Sequence, residues 1–239
     1  MPTKVGNRNK VPYRMGVFGL PGEILSSLVY LLDKTVEDAT YPNKIGDQVR
    51  TVLPGRTLSF DGVDQHASNS AINESVKTVS FWVKLNSTTE SILQLSSSVD
   101  IDVTAGTLAG NGITSPTIYV DNVATATIDT YRHNVIITSA TAFTVDDLDF
   151  AKIATSYGTL DNFDDVRLFA DQLTADERAS LQDKNQIGDE VAWWFGEGNS
   201  TTRVADSSGN DYHLTAANFD AGSFVEGNWQ SLFNLCAGS

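Results

Sequence analysis

The chain has 239 residues, a formal net charge of −14, 41% apolar residues and a single cysteine, Cys236. That apolar content supports a packed core and excludes wholesale disorder, and no apolar run reaches the roughly 18 residues of a membrane span. One cysteine closes no internal disulfide, and the acidic balance speaks against general nucleic-acid binding.

Charge divides along the chain. Residues 1–57 hold 8 of the 16 bases but only 5 of the 30 acids, so residues 58–239 carry a net charge of −17. The first fourteen residues contain Lys4, Arg8, Lys10 and Arg14 and no acid. No apolar run follows the basic start, so a secretory signal peptide is not expected. This asymmetry marks residues 1–56 as a basic arm ahead of a domain at 57–239. Two readings stand for the arm: a solvated terminus, or a docking segment whose Arg8, Lys10 and Arg14 lie on an acidic surface of a neighbour.

Within the arm, residues 21–37 carry the helical period, with Ile24, Leu25, Leu28, Val29, Leu32 and Val36 on one face. Pro21 suits a first helical turn and Glu23 its positive dipole end. Such a helix must pack on something. Its own domain is one partner; other copies of the chain, through Leu25, Leu28 and Leu32, are the other.

From Thr57 the period changes to two. Val79, Phe81, Val83 and Leu85 alternate with Ser80, Trp82 and Lys84, which predicts a half-buried strand. Ile118-Tyr119-Val120 and Val123-Ala124-Thr125 flank Asp121-Asn122, a pair that tolerates the positive φ of a tight hairpin turn. Residues 132–138 and 163–169 read as further strands. Thr174 and Glu177 form a capping box ahead of one short helix. Many short strands with turn signals between them predict an all-β, antiparallel sandwich.

These segments, in this order, resemble a concanavalin A-like, laminin G-like jelly-roll domain. The resemblance rests on Ser59-Phe60-Asp61-Gly62, on Val79-Ser80-Phe81-Trp82-Val83-Lys84, and on Tyr119-Val120-Asp121-Asn122. It is most specific at Asp164-Asp165-Val166-Arg167-Leu168-Phe169 with Leu173-Thr174 and Glu177. Residues 194–198 and 205–210 resemble a segment that usually precedes the Phe-Asp-Gly strand, so here it closes the domain or marks a permuted order. The resemblance covers roughly residues 57–220 and implies a two-sheet jelly-roll sandwich. It also implies a structural calcium site using Asp61 and Asp165. A second oxygen-rich turn, at Asp206 and Asn210, is a weaker Ca2+ candidate.

Fold alone does not assign function. For the carboxylate pair that a retaining glycosidase needs, Asp147 and Asp149 share a strand face, but no glutamate is there. No Gly-x-Ser-x-Gly, His-Glu-x-x-His or phosphate loop is present, so no enzyme is expected. Trp82, on the polar face of its strand, is a weak candidate for stacking a sugar ring, with Trp193, Trp194 and Trp229 as further aromatics. The absence of a signal segment, the basic arm and the resemblance together point to a bacteriophage virion protein, made in the host cytoplasm. It would be a capsid decoration or a tail or fibre appendage, with other virion proteins as partners and a homotrimer favoured. A carbohydrate-binding adhesin that contacts host glycans is the alternative.

Overall fold

A computed structural model describes residues 56–183, 186–195 and 200–226. The helix at about 21–37, the arm residues Arg8, Lys10, Arg14, Leu25, Leu28 and Leu32, and Trp229 and Cys236 lie outside these described residues. In chain order the strands are β1 (Arg56–Asp61), β2 (His66–Asn69), β3 (Glu74–Leu85), β4 (Glu90–Ser96), β5 (Val99–Thr104), β6 (Thr107–Asn111), β7 (Thr117–Val120) and β8 (Val123–Ala124). Next come β9 (Arg132–Val145), β10 (Leu148–Phe150), β11 (Lys152–Ile153), β12 (Ser156–Tyr157) and β13 (Thr159–Phe169). Helix α1 (Ala175–Gln182) precedes β14 (Glu190–Trp194), β15 (Arg203–Val204), β16 (Leu214–Ala217) and β17 (Phe224–Glu226).

The strands form two antiparallel sheets over a common core, an all-β sandwich. One sheet has the order β17-β1-β13-β3-β9-β7-β8, the other β15-β16-β2-β10-β4-β5-β6. β11 and β12 form a separate hairpin. Strand β13 is long enough to take two neighbours on one edge in succession. Its first half pairs with β1, as in Leu58 opposite Phe163, and its second half with β14, as in Arg167 opposite Trp193. Its other edge runs along β3. The last strands return to the first ones, since β16 pairs with β2 and β17 with β1. Residues 214–226 therefore close the sandwich against residues 56–69.

The expected alternation in β3 is realised: Val79, Phe81, Val83 and Leu85 are all buried in the core. Phe163 is the hub between the sheets, its ring 5.9 Å from Phe60, 5.8 Å from Phe81 and 5.3 Å from Phe150. Phe150 belongs to the second sheet and also meets Trp194 edge-on at 5.4 Å. These edge-to-face contacts suit the ring quadrupoles. A smaller cluster covers the outer face of the first sheet, where Leu173 and Leu181 of the α1 region pack on Ile136 and Phe169.

Local chemistry accounts for the connections. Asp121 and Asn122 take φ of 49° and 62°, as the β7–β8 turn requires. Thr174 caps α1, accepting from the Glu177 N–H while the Glu177 carboxylate accepts from the Thr174 N–H. After Asp61 the chain turns through Gly62 at φ 73°, where a Cβ would run into the Thr159 hydroxyl. Strands β2, β4, β5 and β6 have no counterpart in the sequence reading. Ile92 and Leu93 are adjacent and both buried in β4, which breaks a clean two-residue period.

Candidate functional site

The outer face of the first sheet carries the densest polar and aromatic chemistry among the described residues. Two cross-strand rows build it. In one, Asn134, Trp82 and Asp164 stand opposite one another on β9, β3 and β13. In the next, Tyr119, Ile136, Ser80, Arg167 and Trp193 run across β7, β9, β3, β13 and β14. Opposed residues in an antiparallel pair share a face, so Trp82 and Trp193 belong to one surface, about 12 Å apart by strand spacing and rise.

The Asp164-Asp165 pair shapes this surface. Regular pleating would turn successive side chains to opposite faces. The pairing with β3 is irregular on both sides of Asp164, and Asp165 takes φ 53°, so both carboxylates serve the outer face. Asp165 grips Arg167 through two bonds, Nε to Oδ1 at 2.8 Å and Nη2 to Oδ2 at 3.1 Å. The third arm of the Arg167 guanidinium donates to Glu190 Oε1 at 3.0 Å. Trp193 lies under the guanidinium, 4.4 Å from carbon to ring centroid, and donates its indole N–H to Asp165 at 2.7 Å. Arg167 is fully buried. Next to it, Arg132 stacks on Trp82 at 4.7 Å and reaches Asp164 at 3.7 Å. The face thus repeats one unit twice: an aspartate, an arginine and a tryptophan.

These contacts bear directly on the sequence candidates. Asp61 and Asp165 are not brought together. Asp61 pairs with Thr159 at one end of β13, and Asp165 lies six residues further on, about 20 Å along the strand. Asp165 spends its carboxylate on Arg167 and Trp193. At Asp61, burial opposes the charge, but three backbone N–H groups, of Val63, Asp64 and Gln65, converge on Oδ1 and together hold its carboxyl below the usual range. Asp206 is similarly occupied. Its Oδ1 accepts from the Trp193 and Ser208 N–H groups, and its Oδ2 from the Ser208 hydroxyl and the Tyr212 N–H. Asn210 donates to the Val191 carbonyl at 2.8 Å. The turn at 206–210 is therefore a staple between β14 and the following strands. The donors around Asp165 and Asp206 do not fit a Ca2+ ion, which needs free oxygens, and among the described residues no three His, Cys, Asp or Glu side chains converge as a metal site.

Trp82 is half-buried, on the outward face as its strand position implies, with one ring face under Arg132. Trp193 is also half-buried, whereas Trp194 belongs to the core and donates to the Tyr212 carbonyl. Sequence reasoning missed Arg167, Glu190 and Arg132; the Asp-Asp-x-Arg spacing was the available signal. It weighed Asp149, on the opposite sheet, only as a face-mate of Asp147 in a glycosidase pair and did not anticipate its burial. The Asp149 side chain is 8% exposed, Oδ1 is buried without a protein partner, and Oδ2 is 3.7 Å from Lys152 Nζ. Burial pushes this carboxyl up, with the Lys152 charge opposing. Asp147, its expected face-mate, accepts from the Gln94 amide at 2.8 Å.

Fold and face define an all-β protein of two antiparallel sheets, one bearing an arginine–tryptophan–aspartate surface. Comparison with protein-family models, curated proteins and solved structures gave no match.

Proposed function

We propose that the chain is a structural protein of a bacteriophage virion, a head decoration or a tail or fibre appendage. Residues 1–56 dock it on other virion proteins, and the acidic sandwich projects outward. The observation that carries this reading is the charge division, with the net −17 of residues 58–239 belonging to an all-β unit and the basic excess to the segment ahead of it. Acidic surfaces keep closely spaced copies soluble and apart, and a basic arm gives each copy a complementary anchor. The crossing of the chain between sheets at β1–β2, β2–β3, β3–β4 and β9–β10 supports the laminin G-like jelly roll as the finer description. Assembly as a homotrimer belongs to the same proposal.

The test is incorporation. Deleting residues 1–20 should abolish recovery of the protein with purified particles while its thermal melt is retained. Unchanged incorporation would overturn the docking role. Light scattering with and without residues 1–38 reads the second element, and a trimer that falls to a monomer is expected.

A carbohydrate-binding adhesin is the alternative reading. It draws on Trp82 and Trp193 on one face, beside the donor Lys84. Stacking a sugar on Trp82 requires the Arg132 guanidinium to leave the ring. Arg132→Ala should then strengthen glycan capture in a screen and Trp82→Ala abolish it.

A further inference from the structure

One ion cluster outside the face described above ties two loops together at the end of the first sheet. His133, at the start of β9, places Nδ1 2.7 Å from Asp121 Oδ2 and Nε2 2.8 Å from Asp129 Oδ1. Asp121 belongs to the β7–β8 turn and Asp129 to the segment that leads into β9. Each carboxylate is already oriented by the backbone. Asp121 Oδ1 accepts from the Asn134 N–H at 3.0 Å, and Asp129 Oδ1 from the Tyr131 N–H at 2.7 Å.

An ionised carboxylate only accepts hydrogen bonds, and a neutral imidazole has only one N–H. Two carboxylates at hydrogen-bond distance from both ring nitrogens therefore require the imidazolium. Other charges do not offer a substitute. β3 opposes His133 with Val83, and the flanking cations Lys84 and Arg132 face away, to Asp161 and Asp164. Among the described residues, the charged groups facing the ring are thus Asp121 and Asp129.

The clamp controls a small part of the surface. Ahead of it, Ile128 is buried and its N–H donates to the Gly106 carbonyl. Residues 129–131 are exposed and project beyond that anchor. Tyr131 and Val123 are 75% and 62% exposed, among the largest exposed apolar side chains. We propose that His133 is a pH-operated clamp: as imidazolium it holds residues 129–131, with the exposed Tyr131, to the β7–β8 turn, and on deprotonation it releases them. Loss of the proton leaves one nitrogen's lone pair facing a carboxylate, so that contact breaks while the Ile128 anchor holds. The inference does not depend on the virion reading.

The electrostatics agree in sign. Burial of the ring opposes its charge, but the hydrogen bonds it donates to Asp129 and Asp121 prevail and raise His133 above its ordinary value. The stabilisation is therefore full below about 6.5, the unfolded value, and is lost as pH rises through the higher folded value.

The experiment is a pH 5–9 NMR titration of the full chain, reading the His133 ring and the backbone order of residues 121–123 and 129–131. His133→Gln identifies the ring signal and should give the released pattern at every pH. The expected result is a midpoint above 6.5, accompanied by a fall in order parameter from about 0.85 to below about 0.6 in the two segments. Asp129→Asn should lower the midpoint. A midpoint at or below 6.5, or order that stays constant across the titration, overturns the clamp.

Discussion

Arg167 shows what a buried charge needs in order to persist. All of its outer nitrogens face carboxylates or a ring: Asp165 takes two bonds, Glu190 one, and Trp193 covers the plane. Glu190 in turn accepts from the Ile187 and Gly188 N–H groups. Removing one partner of such a pair leaves an uncompensated buried charge, which costs about 3–5 kcal/mol. Arg167→Ala should therefore lower the Tm by roughly 10 °C at 2–4 °C per kcal/mol, measured by calorimetry. Asp149 presents the opposite case, a buried carboxyl with one oxygen unpartnered. Its folded pKa is raised, so the protonated form is favoured in the fold, and its contribution is lost as pH climbs from the unfolded value through the folded one. Asp149→Asn should accordingly raise stability at pH 7 by about 1 kcal/mol. The gain should shrink toward pH 4; a uniform loss at both pH values would contradict the burial argument.

Strand β13 organises the elements. It joins β1, β14 and β3, carries the core hub Phe163 inward, and turns Asp164, Asp165 and Arg167 outward. Phe163→Ala would empty space bordered by three other rings, and a loss of about 3–5 kcal/mol is expected in a denaturant melt. Helix α1 is marginal by itself at eight residues. It holds through the Thr174 cap, through Leu181 packed on Ile136 and Phe169, and through Arg178, which lies 4.1 Å over Tyr119. Thr174→Ala should cost about 1 kcal/mol and speed amide exchange in α1 before the sheets are affected.

Across the described molecule, the carboxylates considered as calcium ligands are oriented by the protein's own donors. A site occupied at a hundred times its Kd would add about 2.7 kcal/mol, a shift of at least about 5 °C in Tm. The expected outcome of adding a chelator is an unchanged melt, because backbone N–H groups bind Asp61, Arg167 binds Asp165, and the turn at 206–210 folds around Asp206. A chelator-induced drop of that size would restore the metal. Charge acts at this scale too: the net −17 of residues 58–239 predicts mutual repulsion between copies that weakens as salt rises.

The sequence by itself determined features whose cause lies within a few residues. The alternation of Val79, Phe81, Val83 and Leu85 defines a buried face because the strand period is two. Asp121-Asn122 specifies a tight turn through its tolerance of positive φ, and Thr174 with Glu177 specifies a helix start. The all-β class follows from many such local signals agreeing. Tertiary structure alone decided which carboxylates meet which cations. Arg167 finds Glu190 23 residues away and Trp193 through strand pairing, and the irregular β13 pairing that brings Asp164 and Asp165 to one face defeats the two-residue rule. It also separated Asp61 from Asp165, and bracketed His133 between Asp121 and Asp129. The physical reason is range. Backbone geometry and capping act over three or four positions, whereas ion pairing and burial depend on strand order and register, which are settled only when the two sheets close on their core.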